Sequence, residues 1–184
     1  MYVMSYISIN ENYLNKSHCE DYLKFCRETN VWDNFHTNDV WNQRVIYSNQ
    51  FPNLELHYTT YLNDLKEKIK LDFNITEEIY PDYLGLVRWR NGDMQHPHAD
   101  GEINGETHPY HWRNFGCVYY LNDDYDGGEI YFPNQNIELK PKPNTLVFFP
   151  GTLEFLHGVK PITNGVRYTL TSFWTYDKQQ SMLR

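Results

Sequence analysis

Gln95-His96-Pro97-His98-Ala99-Asp100 is the stretch around which the rest of this 184-residue chain can be read. His98 and Asp100 are two residues apart, so on an extended strand both side chains leave the same face. An imidazole beside a carboxylate is half of a metal site and needs at least one more ligand from elsewhere; His157 is the candidate. Two histidines and one carboxylate with open positions suit non-haem Fe(II) better than structural zinc, which prefers four closed ligands rich in cysteine. His96 shares the strand face of His98 and competes with it on register alone.

The strand expected over Val166–Tyr176 carries the second informative pattern. Tyr168, Leu170, Ser172 and Trp174 fall on one face, and Arg167, Thr169, Thr171 and Phe173 on the other. If the second face lines a barrel, Arg167 points into the core, where an unpaired guanidinium is costly. A ligand carboxylate would suit its planar fork. An acid on another strand, or an arginine stretching to solvent, would satisfy it equally well.

Around these residues the chain reads as mainly β with flanking helices. Tyr2–Ile9 alternates as an edge strand. Ser17 and Glu20 have the spacing of a capping box, and Cys19, Tyr22, Leu23 and Cys26 follow as the apolar stripe of a helix to about Arg27. Asn30–Phe51 reads as loop with short strands. Leu54, Tyr58, Tyr61, Leu62, Leu65 and Ile69 restore helical spacing, with Lys66, Lys68 and Lys70 on the solvated remainder. From Pro81 onward the texture is β: Tyr83–Arg90, the Asn91-Gly92 turn, Phe115–Leu121, Glu129–Phe132 returning as its hairpin partner, Thr145–Phe149 and Leu156–Val159. Gly101–Asn114, with His108, Tyr110 and His111, reads as a loop or lid beside the site. Short strands at this spacing predict a sandwich or barrel. One domain is expected over residues 1–184, with 1–80 as a helical support and 81–178 as the core.

The net charge of −8 disfavours nucleic acid and anionic membranes as partners, although Arg88, Arg90 and Arg113 form a local basic cluster. No apolar run is long enough to span a membrane, and Met1–Ile9 lacks the form of a secretion signal. Cys19, Cys26 and Cys117 have no zinc-like spacing and read as reduced thiols of a cytoplasmic protein.

Trp89 to Asp100 resembles, without gaps, the metal-binding strand of prolyl 4-hydroxylases, which are Fe(II)/2-oxoglutarate-dependent oxygenases. Cys117–Asn122 resembles their next strand and Gly127-Gly128-Glu129 their GGE turn. Lys140–Asn144 with Thr145–Pro150 is similar to their approach to the distal histidine, and His157–Pro161 with Gly165–Tyr168 completes the likeness over roughly half the chain. An HxD pair alone is common; HxD, a distal histidine and a downstream arginine in that order are specific. The resemblance implies a double-stranded β-helix (jelly roll, cupin-like) packed on the N-terminal helices. It implies Fe(II) held by His98, Asp100 and His157, and 2-oxoglutarate bound through Arg167 and Tyr120. Its ligand assignment favours His98 over His96. The implied reaction uses O2 to hydroxylate a C–H bond of a peptide or protein while 2-oxoglutarate becomes succinate and CO2, with ascorbate as a further candidate cofactor.

A free amino acid or other small molecule would serve the same chemistry, and a non-catalytic metal- or ligand-binding module is the reading from a different class. Retention of both histidines, Asp100 and Arg167 speaks against the latter. The chain departs from the family in three places. A tyrosine usual in the pocket is Trp89, which removes a hydroxyl. Arg167 stands where the collagen-type enzymes carry lysine. His96 replaces a residue that is often acidic.

Overall fold

A computed structural model describes residues 7–34, 41–51, 54–103 and 105–183. Its elements are β1 (Ser8–Asn10), α1 (Lys16–Glu28), β2 (Val45–Tyr47), α2 (Glu55–Asp72), β3 (Tyr80–Trp89), β4 (Gln95–His98), β5 (Phe115–Tyr120), β6 (Tyr125–Gly127), β7 (Ile130–Phe132), β8 (Ile137–Leu139), β9 (Thr145–Pro150), β10 (His157–Val159), β11 (Ile162–Gly165) and β12 (Arg167–Thr175). The strands form a six-stranded sheet in the order β1-β9-β5-β12-β3-β2, a four-stranded sheet β4-β10-β7-β8 and a ribbon β11-β6. Every pairing between these strands is antiparallel.

Alternation assigns the two faces of the large sheet. Leu84 and Leu86 of β3, Cys117 and Tyr119 of β5, Leu146 and Phe148 of β9, and Leu170 and Trp174 of β12 turn outward. They meet Cys19, Tyr22 and Cys26 of α1 and Tyr61, Leu62, Leu65 and Ile69 of α2 in one buried cluster. Each such fully buried side chain contributes on the order of 1.5–3 kcal/mol, so these helices are held by packing. The opposite face closes on the small sheet, with Val147 and Phe149 against Ile130 and Phe132. Asn144, in the left-handed region at φ 63, binds the N-terminal segment to this body. Its Oδ1 accepts from Leu14 N at 2.9 Å and Tyr119 Oη at 2.7 Å, and its Nδ2 donates to Leu14 O at 2.8 Å.

Several expectations change. Asn15, not Ser17, caps α1: its side chain accepts from Ser17 N at 3.1 Å. Asn15→Ala is expected to cost about 1 kcal/mol, read as a melting point about 2–4 °C lower. β7 does not pair with β5 as a hairpin partner; it lies in the small sheet between β10 and β8. The intervening turn contains β6, which pairs with β11. The edge position expected of the first strand holds at β1, and the Tyr2–Tyr6 part of that reading lies outside the described residues, as does Phe35. The three cysteines are buried, unpaired thiols. The basic cluster is consumed internally. Arg88 bonds Gln43 O at 2.6 Å, Arg90 meets Asp93 at 3.3 Å, and Arg113 meets Asp82 at 2.9 Å. Among the described residues no helix is long and apolar enough to cross a membrane.

Candidate metal and cosubstrate site

β4 and β10 run antiparallel with His98 and His157 as direct Cα partners, so their rings meet across the strands, tilted by 53° with 4.4 Å between centroids. Asp100 follows two residues beyond His98. Its Oδ1 lies 3.6 Å from His98 Nε2 and 3.7 Å from His157 Nε2. One ligand atom from each of the three residues falls within 4.8 Å of the others, the grouping expected from sequence. His96 is exposed and outside it.

The remaining ring nitrogens fix the tautomers. His98 Nδ1 lies 3.0 Å from His96 O, and His157 Nδ1 lies 3.2 Å from Phe155 O. A carbonyl can only accept, so both Nδ1 atoms carry the proton and both Nε2 lone pairs turn toward Asp100. The Gln95 amide donates to His98 Nε2 at 3.2 Å, in keeping with that assignment. Burial pushes the His157 pKa down to about 4 despite the opposing Asp100 charge, so its imidazole is neutral near pH 7. At His98 burial also disfavours the charged ring, but the neighbouring Asp100 outweighs it and raises the pKa. Asp100 pays desolvation too, and the two histidines nevertheless hold it below the usual carboxylate range.

This donor set fits Fe(II). Asp100 Oδ2 is buried and has no hydrogen-bond partner among the described residues, an uncompensated lone pair that a cation would satisfy. Three donors on one side of a cavity of about 690 Å³ leave room for further ligands. Gly116 of β5 provides the space for the carboxylate, since a Cβ there would collide with Asp100 Oδ2 and the Phe149 ring. Gly116→Ala is therefore expected to weaken metal binding by about tenfold or more, the scale of losing a group that orients a ligand. Mn(II) titration measures it.

Arg167 lies inside the barrel, as its strand face predicts. It is 1% exposed, so it does not stretch to solvent. Its Nη2 donates to Tyr120 Oη at 3.0 Å, while Nε and Nη1 have no partner among the described residues. The Tyr120 oxygen accepts that bond and keeps its own proton for another acceptor. Arg167, Thr169, Thr171 and Phe173 all line the cavity, as the alternation of β12 predicts.

Several lining residues carried no periodic signal, although the Gly101–Asn114 loop was expected beside the site and does reach it. Arg113 is ion-paired to Asp82 and lies over the rings of Phe173 at 3.9 Å and Tyr110 at 4.0 Å. With His108 and Tyr110 it brings the Gly101–Asn114 loop to the cavity, while Trp41 and Tyr47 bring the Asn30–Phe51 segment. No periodicity marks them, because their contacts form only after the loops fold over the sheet.

Residues 84–175 match the family model described as the 2OG-Fe(II) oxygenase superfamily. Prolyl 3-hydroxylase 2 of Mus musculus is 31% identical over 121 residues, covering 58% of this chain and 17% of that protein. The chain thus spans about a sixth of the length of the curated relatives it matches. The crystal structure of a Pseudomonas putida prolyl-4-hydroxylase superimposes with a TM-score of 0.69 at 18% identity, over 94% of this chain and 93% of that one. A prolyl hydroxylase from Trichoplax adhaerens, solved in complex with a hypoxia inducible factor oxygen degradation domain peptide fragment, gives 0.67 at 16% identity, over 98% and 88%. These two likenesses establish the double-stranded β-helix fold.

Proposed function

The chain belongs to the 2OG-Fe(II) oxygenase superfamily, and on that premise we propose that it is a 2-oxoglutarate-dependent dioxygenase hydroxylating prolyl residues of a peptide or protein. One observation carries the reading. The histidine and aspartate donors converge in a cavity, and the same cavity holds a buried guanidinium with two nitrogens that have no partner among the described residues. A metal alone explains the first feature, and a carboxylate ligand alone explains the second. A chelating 2-oxo dicarboxylate joins them.

In this reading His98, Asp100 and His157 hold Fe(II). When bound, Fe(II) with 2-oxoglutarate and O2 supplies the oxidative decarboxylation to succinate and CO2 that drives hydroxylation of a C–H bond. The protein does the rest. His96 O and Phe155 O orient the two imidazoles, and Gly116 leaves the space in which Asp100 sits. Arg167 and Tyr120 take the far carboxylate, the former through its open Nε and Nη1 and the latter through its hydroxyl proton. Phe149 and Phe132 pack on the His157 ring and keep water from that side. The helical region and the β core act together as one oxygenase domain, a view supported by the single cluster that they share. The peptide substrate is supported by the names of the relatives, and a reducing, cytoplasmic setting by the three unpaired thiols.

The test is mass spectrometry of proline-containing peptide libraries incubated with protein, Fe(II), 2-oxoglutarate and O2, with and without ascorbate, against an Asp100 variant. A +O product on proline is expected, and hydrolysis of that product distinguishes 3- from 4-hydroxyproline. Turnover of free amino acids or proline-free peptides instead would displace the prolyl reading. Absence of iron-dependent 2-oxoglutarate binding under anaerobic conditions would remove the enzyme reading.

A further inference from the structure

Trp89 is the cavity-lining residue where the family's tyrosine hydroxyl is missing, and the structure shows what surrounds its ring. β3 lies between β12 and β2 in the large sheet, and each neighbour sends a guanidinium to the indole. Arg167, the Cα partner of Trp89 on β12, places its Cζ 5.1 Å from the ring centroid. Arg44, immediately before β2, places its Cζ at 4.1 Å. Trp41 packs edge-on to Trp89 at 5.8 Å and carries Arg44 over its own ring at 4.8 Å. Arg44 is 3% exposed, is fixed in the backbone by Arg88 N donating to its carbonyl at 2.8 Å, and lies 3.6 Å from Asp93.

Charge makes this arrangement informative. An aromatic face attracts a cation through its quadrupole, but two guanidiniums on one indole repel each other unless each also meets an anion. Asp93 serves Arg44. Arg167 meets no carboxylate among the described residues, its Nη2 bonding only the neutral Tyr120 hydroxyl, so the sequence of charges from Asp93 through Arg44, Trp89 and Arg167 stops one member short. A carboxylate on Arg167 completes it.

We infer that Trp89, fixed by Arg44 and Asp93, is the positioning residue that sets where the Arg167 guanidinium meets the cosubstrate. Through that placement it sets the length of 2-oxo dicarboxylate the pocket accepts. The inference rests on the proposed role of Arg167 in binding 2-oxoglutarate. The guanidinium lies against both the Trp89 ring and the Tyr120 ring, whose centroid is 4.8 Å from Cζ. Its distance from the triad, and so the span the cosubstrate must bridge, is held by these rings and by the hydrogen bond to Tyr120 Oη rather than by an ion pair. Arg44 acts through Trp89 and does not line the cavity.

The test is calorimetric titration of 2-oxoglutarate and the one-carbon-longer 2-oxoadipate into Mn(II)-loaded protein, for wild type, Arg44→Ala, Arg44→Lys and Trp89→Phe. Arg44→Ala is expected to weaken 2-oxoglutarate binding about five- to tenfold, the loss of one desolvated cation–π contact, and to narrow its preference over 2-oxoadipate. Arg44→Lys should recover part of both. Trp89→Phe, which keeps a ring in the core, should shift both in the direction of Arg44→Ala and carries the test if that variant does not fold. Mn(II) affinity should stay unchanged throughout. Failure of wild type to bind 2-oxoglutarate would remove the reading on which this rests. Wild-type binding with an unchanged affinity and preference in Arg44→Lys and Trp89→Phe overturns the positioning role alone.

Discussion

Asp100→Ala is expected to abolish succinate formation and to remove the thermal stabilisation that Mn(II) or Fe(II) gives the wild-type protein. The carboxylate is the one anionic member of the three-residue cluster, and the two imidazoles alone cannot balance a divalent charge in a buried site. Losing an outer-shell partner of a ligand typically costs about 10–100-fold in metal affinity, and loss of a ligand itself should exceed that. A metal that binds only the folded state stabilises it by about 2.7 kcal/mol at a hundred times its Kd. Thermal melts with and without Mn(II) therefore report the site independently of turnover. Asp100→Asn separates charge from shape: a retained Mn(II) shift in that variant would mean that the carboxylate charge is dispensable. His98→Ala should behave as Asp100→Ala does.

Arg167→Ala should raise the 2-oxoglutarate requirement by roughly a hundredfold, about 3 kcal/mol for removing one member of a buried charge pair. The Kd for 2-oxoglutarate measured anaerobically on the Mn(II) form checks it, and an unchanged value would make Arg167 structural. Arg167→Lys keeps the charge but loses the fork, so it should recover only part of the loss. Stability should move the opposite way. Arg167 is buried with two nitrogens that have no partner among the described residues, a condition tolerated for binding and costly for folding. Arg167→Met is expected to raise the ligand-free melting temperature, by on the order of 1 kcal/mol or more in stability, while destroying cosubstrate affinity. A structural arginine would show the reverse.

What the sequence made legible follows the length of each pattern. β12 is nine residues long, and its alternation separated Arg167, Thr169, Thr171 and Phe173 on the cavity face from Tyr168, Leu170 and Trp174 on the helix-packed face. The stripes of α1 and α2 likewise named their buried residues. β6, β7 and β8 have three residues each and β11 has four, too few for a period to register, so their partners were misread or missed. The cap of α1 was displaced because Asn15 and Ser17 are both good caps and local spacing cannot choose between them. At the site, the grouping of His98, Asp100 and His157 was readable because its chemistry is carried by residue type and order. The Arg44–Trp89–Arg167 arrangement was not, because a ring contact between a turn and two strands leaves no trace in any one of them.

The pairing of His98 with His157 has a mechanical consequence. β4 is an outermost strand of the small sheet, four residues long, with β10 as its only strand neighbour there among the described residues, and such strands fray first. A cation shared by the two histidines and Asp100 would act as a clasp on that margin, tying β4 to β10 at the position where their backbones already meet. Loading the site and locking the edge of the barrel would then be a single event. Slow amide hydrogen exchange across Gln95–His98 would report occupancy of the centre without any chemistry taking place.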